Sequence, residues 1–274
     1  MAARSAVLNV MAKAAEKAGR ALVRDFGEVE QLQVSRKGPA DFVSAADRKA
    51  ERMVREELQK ARPAFGFLME EGGTIEGSDK SHRWIVDPLD GTTNFLHGLP
   101  HFAISIALER DGEIIAGLVY EPVRDELFWA EKGAGAFLNH QRLRVSARRT
   151  MADALIATGI PFKGHGDMGT FMAQLQALAG QVSGIRRWGA ASLDLAYVAA
   201  GRFDGFWEKD LKPWDIAAGT LLVTEAGGFV SEISGHKGHL SGASILAANP
   251  LLHGPLQTIL HNAVKPKATP QAQG

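Results

Sequence analysis

The first 27 residues place apolar side chains at Val7, Met11, Ala14, Ala18, Leu22 and Phe26, three or four apart with charges between them. That spacing predicts an amphipathic helix with Gly27 as its stop. A second helix is expected over Ala45–Ala61, capped by Ser44 and followed by Pro63. The pattern then changes to short apolar runs bounded by Gly, Pro and Asp. Strands are expected at Phe65–Met69, Arg83–Val86, Phe102–Glu109, Glu113–Tyr120 and Glu126–Glu131. Asp111-Gly112 reads as a two-residue hairpin turn, and Gly133 and Gly135 begin another turn before Ala136–Leu138 and Leu143–Val145. Residues 1–146 therefore describe a largely antiparallel sheet backed by two helices.

Beyond Ser146 strands and helices alternate, which suggests an α/β half over 147–263. Strands are expected at Ala154–Thr158, Ile185–Trp188, Phe203–Glu208, Gly228–Ile233 and Ser244–Ala248. Helices are expected at Met168–Leu178, Ala190–Ala200, Pro213–Ala226 and Leu251–His261. The polar, Pro-containing tail 264–274 is expected to be disordered, and no internal repeat is visible.

With 274 residues, 45% hydrophobic and 23% charged, the chain can bury a large core. Its 31 basic and 31 acidic residues cancel, so no general nucleic-acid or membrane surface is predicted. An anionic ligand must be held by a local site. The absence of cysteine excludes disulfides, thiolate ligands and a cysteine nucleophile. The apolar runs 102–108 and 114–120 are strand-sized and too short to span a bilayer, and a cytoplasmic protein is expected.

The chemistry concentrates in WIVDPLDGTTNF, residues 84–95. A short apolar strand ends on Asp87, and a Pro/Gly turn bends Asp90 back toward it, with the Leu89 carbonyl between. The amides and hydroxyls of Gly91, Thr92 and Thr93 follow, suited to an anion. Glu70 and Glu71 leave another strand end, Asp47 follows Ser44 by three residues, and Asp215 opens a helix after Pro213-Trp214. Each has an ordinary explanation. Ser44-x-x-Asp47 is close to a capping box, and Asp215 could complement a helix dipole. The Asp87–Gly91 stretch could be a simple turn, and Glu70-Glu71 a solvated loop edge. If they converge, an all-oxygen set suits Mg²⁺ or Mn²⁺ rather than zinc. The pairs His97/His101 and His236/His239 are weak competitors as ligands. Two such cations would polarise a phosphoryl oxygen, activate water and stabilise the leaving alkoxide. No P-loop, nucleophile elbow or dinucleotide-binding glycine motif competes.

WIVDPLDGTTNF, the upstream Glu70-Glu71 pair and PWDIAAG at 213–219 together resemble the inositol monophosphatase family, from the first helix to about residue 262. The resemblance implies a five-layered αβαβα fold, a homodimer and lithium-sensitive, Mg²⁺-dependent hydrolysis with two or three ions per site. It implies Glu70, Asp87, Asp90 and Asp215 as side-chain metal ligands, with the Leu89 carbonyl. Asp47 and Thr92 would join Glu70 in activating water, Asp47 also lying near a third metal. Gly91, Thr92 and Thr93 would hold phosphate. Gly189, Ala190, Ala191, Glu208 and Asp215 would contact a small phosphorylated polyol, and no covalent phosphoenzyme is expected. Many relatives carry a hydroxyl residue where this chain has Ala190, and the loop Pro161–Met168 bears no family-wide signature. Expected substrates are therefore myo-inositol 1-phosphate first, with histidinol phosphate or bisphosphorylated sugars and nucleotides as alternatives. A regulatory binding protein on the same fold is the alternative from another class.

Overall fold

The computed structural model describes residues 4–32, 39–161 and 166–264, with only the backbone described for 29–32 and 39–44. Helices α1 (Ala6–Leu32) and α2 (Pro39–Ala61) pack against each other, joined by Lys17 to Glu57 at 2.7 Å and Lys49 to Asp25 at 2.8 Å. The predicted stripe of α1 faces the core, with Met11, Ala14, Ala18 and Leu22 buried. Two expectations fail here. Gly27 does not stop α1, since an exposed glycine costs a helix only about 1 kcal/mol. Ser44 does not cap α2, which begins at Pro39, a residue whose fixed φ and missing N–H suit a first helical position.

Eight strands follow the helices into one sheet: β1 (Gly66–Met69), β2 (Gly73–Ile75), β3 (His82–Asp90), β4 (Ala103–Arg110), β5 (Glu113–Glu121), β6 (Glu126–Glu131), β7 (Gly135–Leu138) and β8 (Gln141–Arg142). Their order is β2-β1-β3-β4-β5-β6-β7-β8, antiparallel except for the β1–β3 pair. Strand β2 was not expected, and β8 lies at 141–142 rather than 143–145; both are short edge strands with little apolar pattern. The β4–β5 hairpin turns through Asp111 and Gly112, both with positive φ, as the sequence predicts.

The remaining elements are a 3₁₀ turn at Met151–Asp153, β9 (Leu155–Thr158), α4 (Met168–Ala179), β10 (Gly184–Arg186), α5 (Ala191–Ala199), β11 (Gly205–Lys209), α6 (Pro213–Glu225), β12 (Phe229–Ser231), β13 (Ser244–Ala248) and α7 (His253–Asn262). A short helix, α3 (Thr92–Leu96), follows β3, so that numbering in chain order makes it the third of seven helices among the described residues. The second sheet runs β10-β9-β11-β13-β12, parallel across its first three strands. Strand β10 ends at Arg186, two residues before the predicted Trp188, which turns outward. The expected disorder of the tail concerns residues 265–274, and part of the loop Pro161–Met168 concerns 162–165, all outside the described residues.

Five layers result, as expected: α1 and α2, the large sheet, α5 and α6, the small sheet, then α4 and α7. Helix α5 is apolar apart from Ser192, Asp194 and the Tyr197 hydroxyl, and all nine of its residues are buried between the sheets. The two faces of the large sheet differ in bulk. Trp84, Val86, Ile104, Ile106 and Leu108 point toward α1 and α2, whereas Ala103, Ala107 and Ser105 lie on the α6 side. Small residues let α6 approach: a Cβ on Gly117 would lie 2.9 Å from the Ala218 carbonyl oxygen. Ser105 Oγ donates to the Trp214 carbonyl at 3.2 Å, fastening the start of α6 to β4.

Between α5 and α6 the fit is equally tight, since a Cβ on Gly219 would sit 2.5 Å from Leu195 Cβ. Gly219→Ala is therefore expected to destabilise the fold by about 1–3 kcal/mol through overpacking. Denaturant unfolding checks this, and an unchanged midpoint would show that the helices have room to separate.

Candidate active site

The site forms where β3 ends. Residues 87 and 90 are an odd number apart, so a regular strand would send them to opposite faces. Pro88 supplies no N–H to the ladder, and the register with β4 shifts between Asp87–Ser105 and Asp90–Ala103. This irregularity lets the two carboxylates act on each other. Asp87 Oδ1 accepts from Leu89 N–H at 2.9 Å, and Thr92 Oγ1 donates to the Leu89 carbonyl at 2.9 Å. Gly91 has φ 90°, and a Cβ there would meet the His101 carbonyl oxygen at 2.9 Å, so only glycine suits this corner.

Asp90 reaches across to the other sheet's helix. Its Oδ2 accepts from Ser192 N–H at 2.8 Å and Ser192 Oγ at 2.5 Å. Asn94 adds a second tie, donating to the carbonyls of His101 and Trp188 at 2.8 Å each. Asp215, in the first turn of α6, accepts from Lys212 N–H at 2.6 Å. The helix-end role weighed for Asp215 is thus real, and so is its membership of the acidic group. Asp47 lies within α2 and not at its start, so the capping-box reading is overturned; its Oδ1 is buried without a partner. Glu51, one turn on, accepts from Glu71 N–H at 2.9 Å and holds the loop that carries Glu70.

The electrostatics of the group are unfavourable in the absence of a counter-charge. Burial, then Glu70, Glu71 and Glu51, pushes Asp47 up to about 8. Burial and the neighbouring acids hold Asp87 well above the usual carboxylate range and raise Glu70, which a hydrogen bond to Asp87 moderates. Asp215 is pushed up to about 7 by burial, with Asp90 and Glu70 adding to it. Asp90 rises to about 6 through burial, restrained by the hydrogen bonds from Ser192, Ala191 and Gly91.

A wall of the second sheet faces this group. Glu208, near the end of β11, packs against Gly159, where an added Cβ would fall 1.8 Å from its Oε1. Burial, then Asp215 and Asp90, pushes Glu208 up to about 8. A cavity of about 190 Å³ is lined by Asp90, Gly91, Thr92 and Thr93 on one side and by Gly189, Ala190, Ala191 and Glu208 on the other. A groove of about 430 Å³ continues from it past Asp215 toward Trp207, Phe171 and Trp214. Sequence reasoning missed Ser192, Asn94, Glu51, Arg187 and Asp194. Only Asp194 carried a signal, as a lone acid within the apolar run ASLDLAYVA.

Among the described residues, no three His, Asp or Glu side chains lie close enough to hold a metal ion as they stand. The chemistry of the donors nevertheless fits a hard cation: they are all oxygen, they repel one another, and Asp47 Oδ1 lacks any partner. The histidine pairs add no ligand to this group, since none of the four lines the cavity or the groove beside the acids.

A fold of two sheets around a buried helix pair, with acids gathered near one strand end, suits metal-dependent hydrolysis of a phosphate ester. Comparison with known proteins agrees: the profile of the Inositol monophosphatase family matches residues 3–266. A Rhizobium meliloti protein named inositol-1-monophosphatase is 60% identical over 265 residues, covering 97% of this chain and all of that one. A Pseudomonas aeruginosa protein named Nus factor SuhB is 45% identical over 264 residues, covering 95% of this chain and 97% of that one. The crystal structure of the extragenic suppressor protein suhB from Bartonella henselae superposes with a TM-score of 0.87 at 60% identity, covering 93% of this chain and 98% of that one. The chain belongs to the inositol monophosphatase family, and it is a phosphatase whose family depends on metal. No described helix is long and apolar enough to cross a membrane.

The raised acids give the protein a characteristic pH response. Folded, they hold protons above the ordinary Asp and Glu values of 3.8 and 4.5, up to about 8 for Asp47. In that window the folded state binds more protons than the unfolded one, so stability falls as pH rises. His101, lowered to about 4 from 6.5 by burial, acts in the opposite sense below pH 6.5. With chelator present, the melting temperature is therefore expected to fall between about pH 6.5 and 8. Added Mg²⁺ should restore more stability at the upper end, because a cation needs the ionised carboxylates. A Mg²⁺ effect that is flat with pH in a thermal-shift titration would contradict this.

Proposed function

We propose that this phosphatase hydrolyses a small polyol monophosphate, with myo-inositol 1-phosphate as the leading substrate. The observation that carries the reading is the shared cavity, which brings the Gly91–Thr93 turn and Asp90 against Glu208 and the small residues 189–191. When bound, Mg²⁺ polarises the phosphoryl oxygens, lowers the pKa of water and stabilises the leaving alkoxide. Glu70, Asp87, Asp90, Asp215 and the Leu89 carbonyl would hold it in two or three sites. Asp47, Glu70 and Thr92 would orient water and accept its proton. Thr92 and Thr93 hydroxyls and the Gly91–Thr93 amides would hold the phosphate. Glu208 would accept hydrogen bonds from ring hydroxyls of the alcohol. The names of the Rhizobium meliloti relative and others like it support inositol 1-phosphate over histidinol phosphate.

The test is phosphate release with Mg²⁺ from inositol 1-phosphate, histidinol phosphate, fructose 1,6-bisphosphate and adenosine 3′,5′-bisphosphate, each with and without lithium. A preference for the inositol ester, suppressed by lithium, is expected. Asp90→Asn should lower turnover at least about a hundredfold while the fold persists; near wild-type turnover would remove Asp90 from the metal set. Glu208→Ala should raise KM for inositol 1-phosphate more than for an aryl phosphate, and equal effects would remove it from polyol recognition.

A second reading is favoured by the relative named Nus factor SuhB at 45% identity: a regulatory binding role on the same fold. Absence of Mg²⁺-dependent release from every ester in the panel would put that reading first.

A further inference from the structure

Helix α5 carries two polar side chains that the catalytic reading leaves unequal. Ser192 is engaged by Asp90. Asp194 is 1% exposed, and its Oδ1 is buried with no hydrogen-bond partner. An unpartnered polar atom in a core is a net cost to folding, so its persistence within ASLDLAYVA calls for a use.

Its position supplies one. Ala190 and Ala191 precede Asp194 by four and three residues, so the three share one face of the helix start. All three line the cavity of about 190 Å³ together with Glu208, Arg187 and the Gly91–Thr93 turn. With only glycine and alanines at 189–191, no side chain on that face is long enough to engage the Asp194 carboxyl. Glu208 and Asp90 lie near enough to burden it electrostatically, and Arg187 near enough to relieve it. The cavity thus has two carboxyls on the wall that faces the phosphate turn, one from β11 and one from α5.

We propose that Asp194 is a second specificity-determining carboxyl, pairing with Glu208 to take hydrogen bonds from neighbouring hydroxyls of the substrate's alcohol. The proposal rests on the polyol-phosphatase reading given above. One carboxyl can accept from two neighbouring hydroxyls, and a second carboxyl on an adjacent element lets the cavity hold further hydroxyls of the same polyol in a fixed orientation. A substrate carrying an ammonium group would use the same pair differently, as counter-charge.

The test compares Asp194→Leu and Asp194→Asn with wild type on inositol 1-phosphate, histidinol phosphate and 4-nitrophenyl phosphate, at saturating Mg²⁺, together with melting temperatures. Leucine keeps the branched shape with bulkier tips and removes the polar atoms, and asparagine matches the volume. In Asp194→Leu the ratio of kcat/KM for the inositol ester to that for the aryl ester is expected to fall about tenfold, mainly through KM. Asparagine, which keeps a carbonyl acceptor, should recover part of that loss. The melting temperature of Asp194→Leu should equal or exceed that of wild type, which a purely structural aspartate would not allow. An unchanged ratio overturns the proposal, as does an equal loss on both esters accompanied by a lower melting temperature. A loss confined to histidinol phosphate also overturns it, in favour of an ammonium site. Wild-type release from the aryl ester alone would sink the polyol reading and this role with it. Normal wild-type selectivity with an unaltered Asp194→Leu ratio would sink only the role.

Discussion

The carboxylate of Asp90 is the joint on which the site depends. It ends a strand of the large sheet, and its hydrogen-bond donors include the first turn of α5, the helix buried between the two sheets. A negative group at a helix N-terminus satisfies amides that would otherwise be orphaned and complements the helix dipole. This one contact holds the end of β3 to the start of α5, and so aligns the acids there with the small residues at 189–191 that line the same cavity. The same donors restrain the rise that burial imposes on Asp90, which reaches about 6.

Around that joint the protein tolerates a concentration of unfavourable charge. Asp47, Glu70, Asp87, Asp215 and Glu208 all lose solvation and repel one another. Such an arrangement is supported by the three hydrophobic layers beneath it, none of which depends on the acids for its packing. A cation therefore relieves strain already stored in the folded chain, and binding and stability become linked. The local ties are modest individually: the turn at Gly91, the Asn94 bridge between two loops, and the Glu51 contact to the Glu71 amide. Each positions backbone rather than chemistry.

Much of this was legible in the sequence because the strongest patterns are local. The α1 stripe, the Asp111-Gly112 hairpin and the alternating second half all follow from periodicity and turn chemistry. The WIVDPLDGTTNF stretch announced both acids because Pro and Gly bracket them. Helix ends were less legible, since Gly27 is tolerated and Pro39 starts α2 before the apolar pattern does. Edge strands β2 and β8 are held by pairing rather than by burial, so no hydrophobic pattern marks them. Ser192, Asn94 and Glu51 were invisible for a different reason. Their partners lie 102, 94 or 7, and 20 residues away, and only the folded chain brings such partners together.

The small residues on the inner face of the large sheet have a geometric consequence. Gly117 lets α6 settle against β5 at backbone distance, and Gly219 lets α5 settle against α6 in the same way. The helix pair is consequently a spacer of fixed thickness between two plates. One plate carries Asp87 and Asp90 and the other carries Glu208, so the spacer sets the width of the gap in which a substrate must fit. A methyl group added at Gly117 or Gly219 would widen the jaw without touching a single residue that lines it.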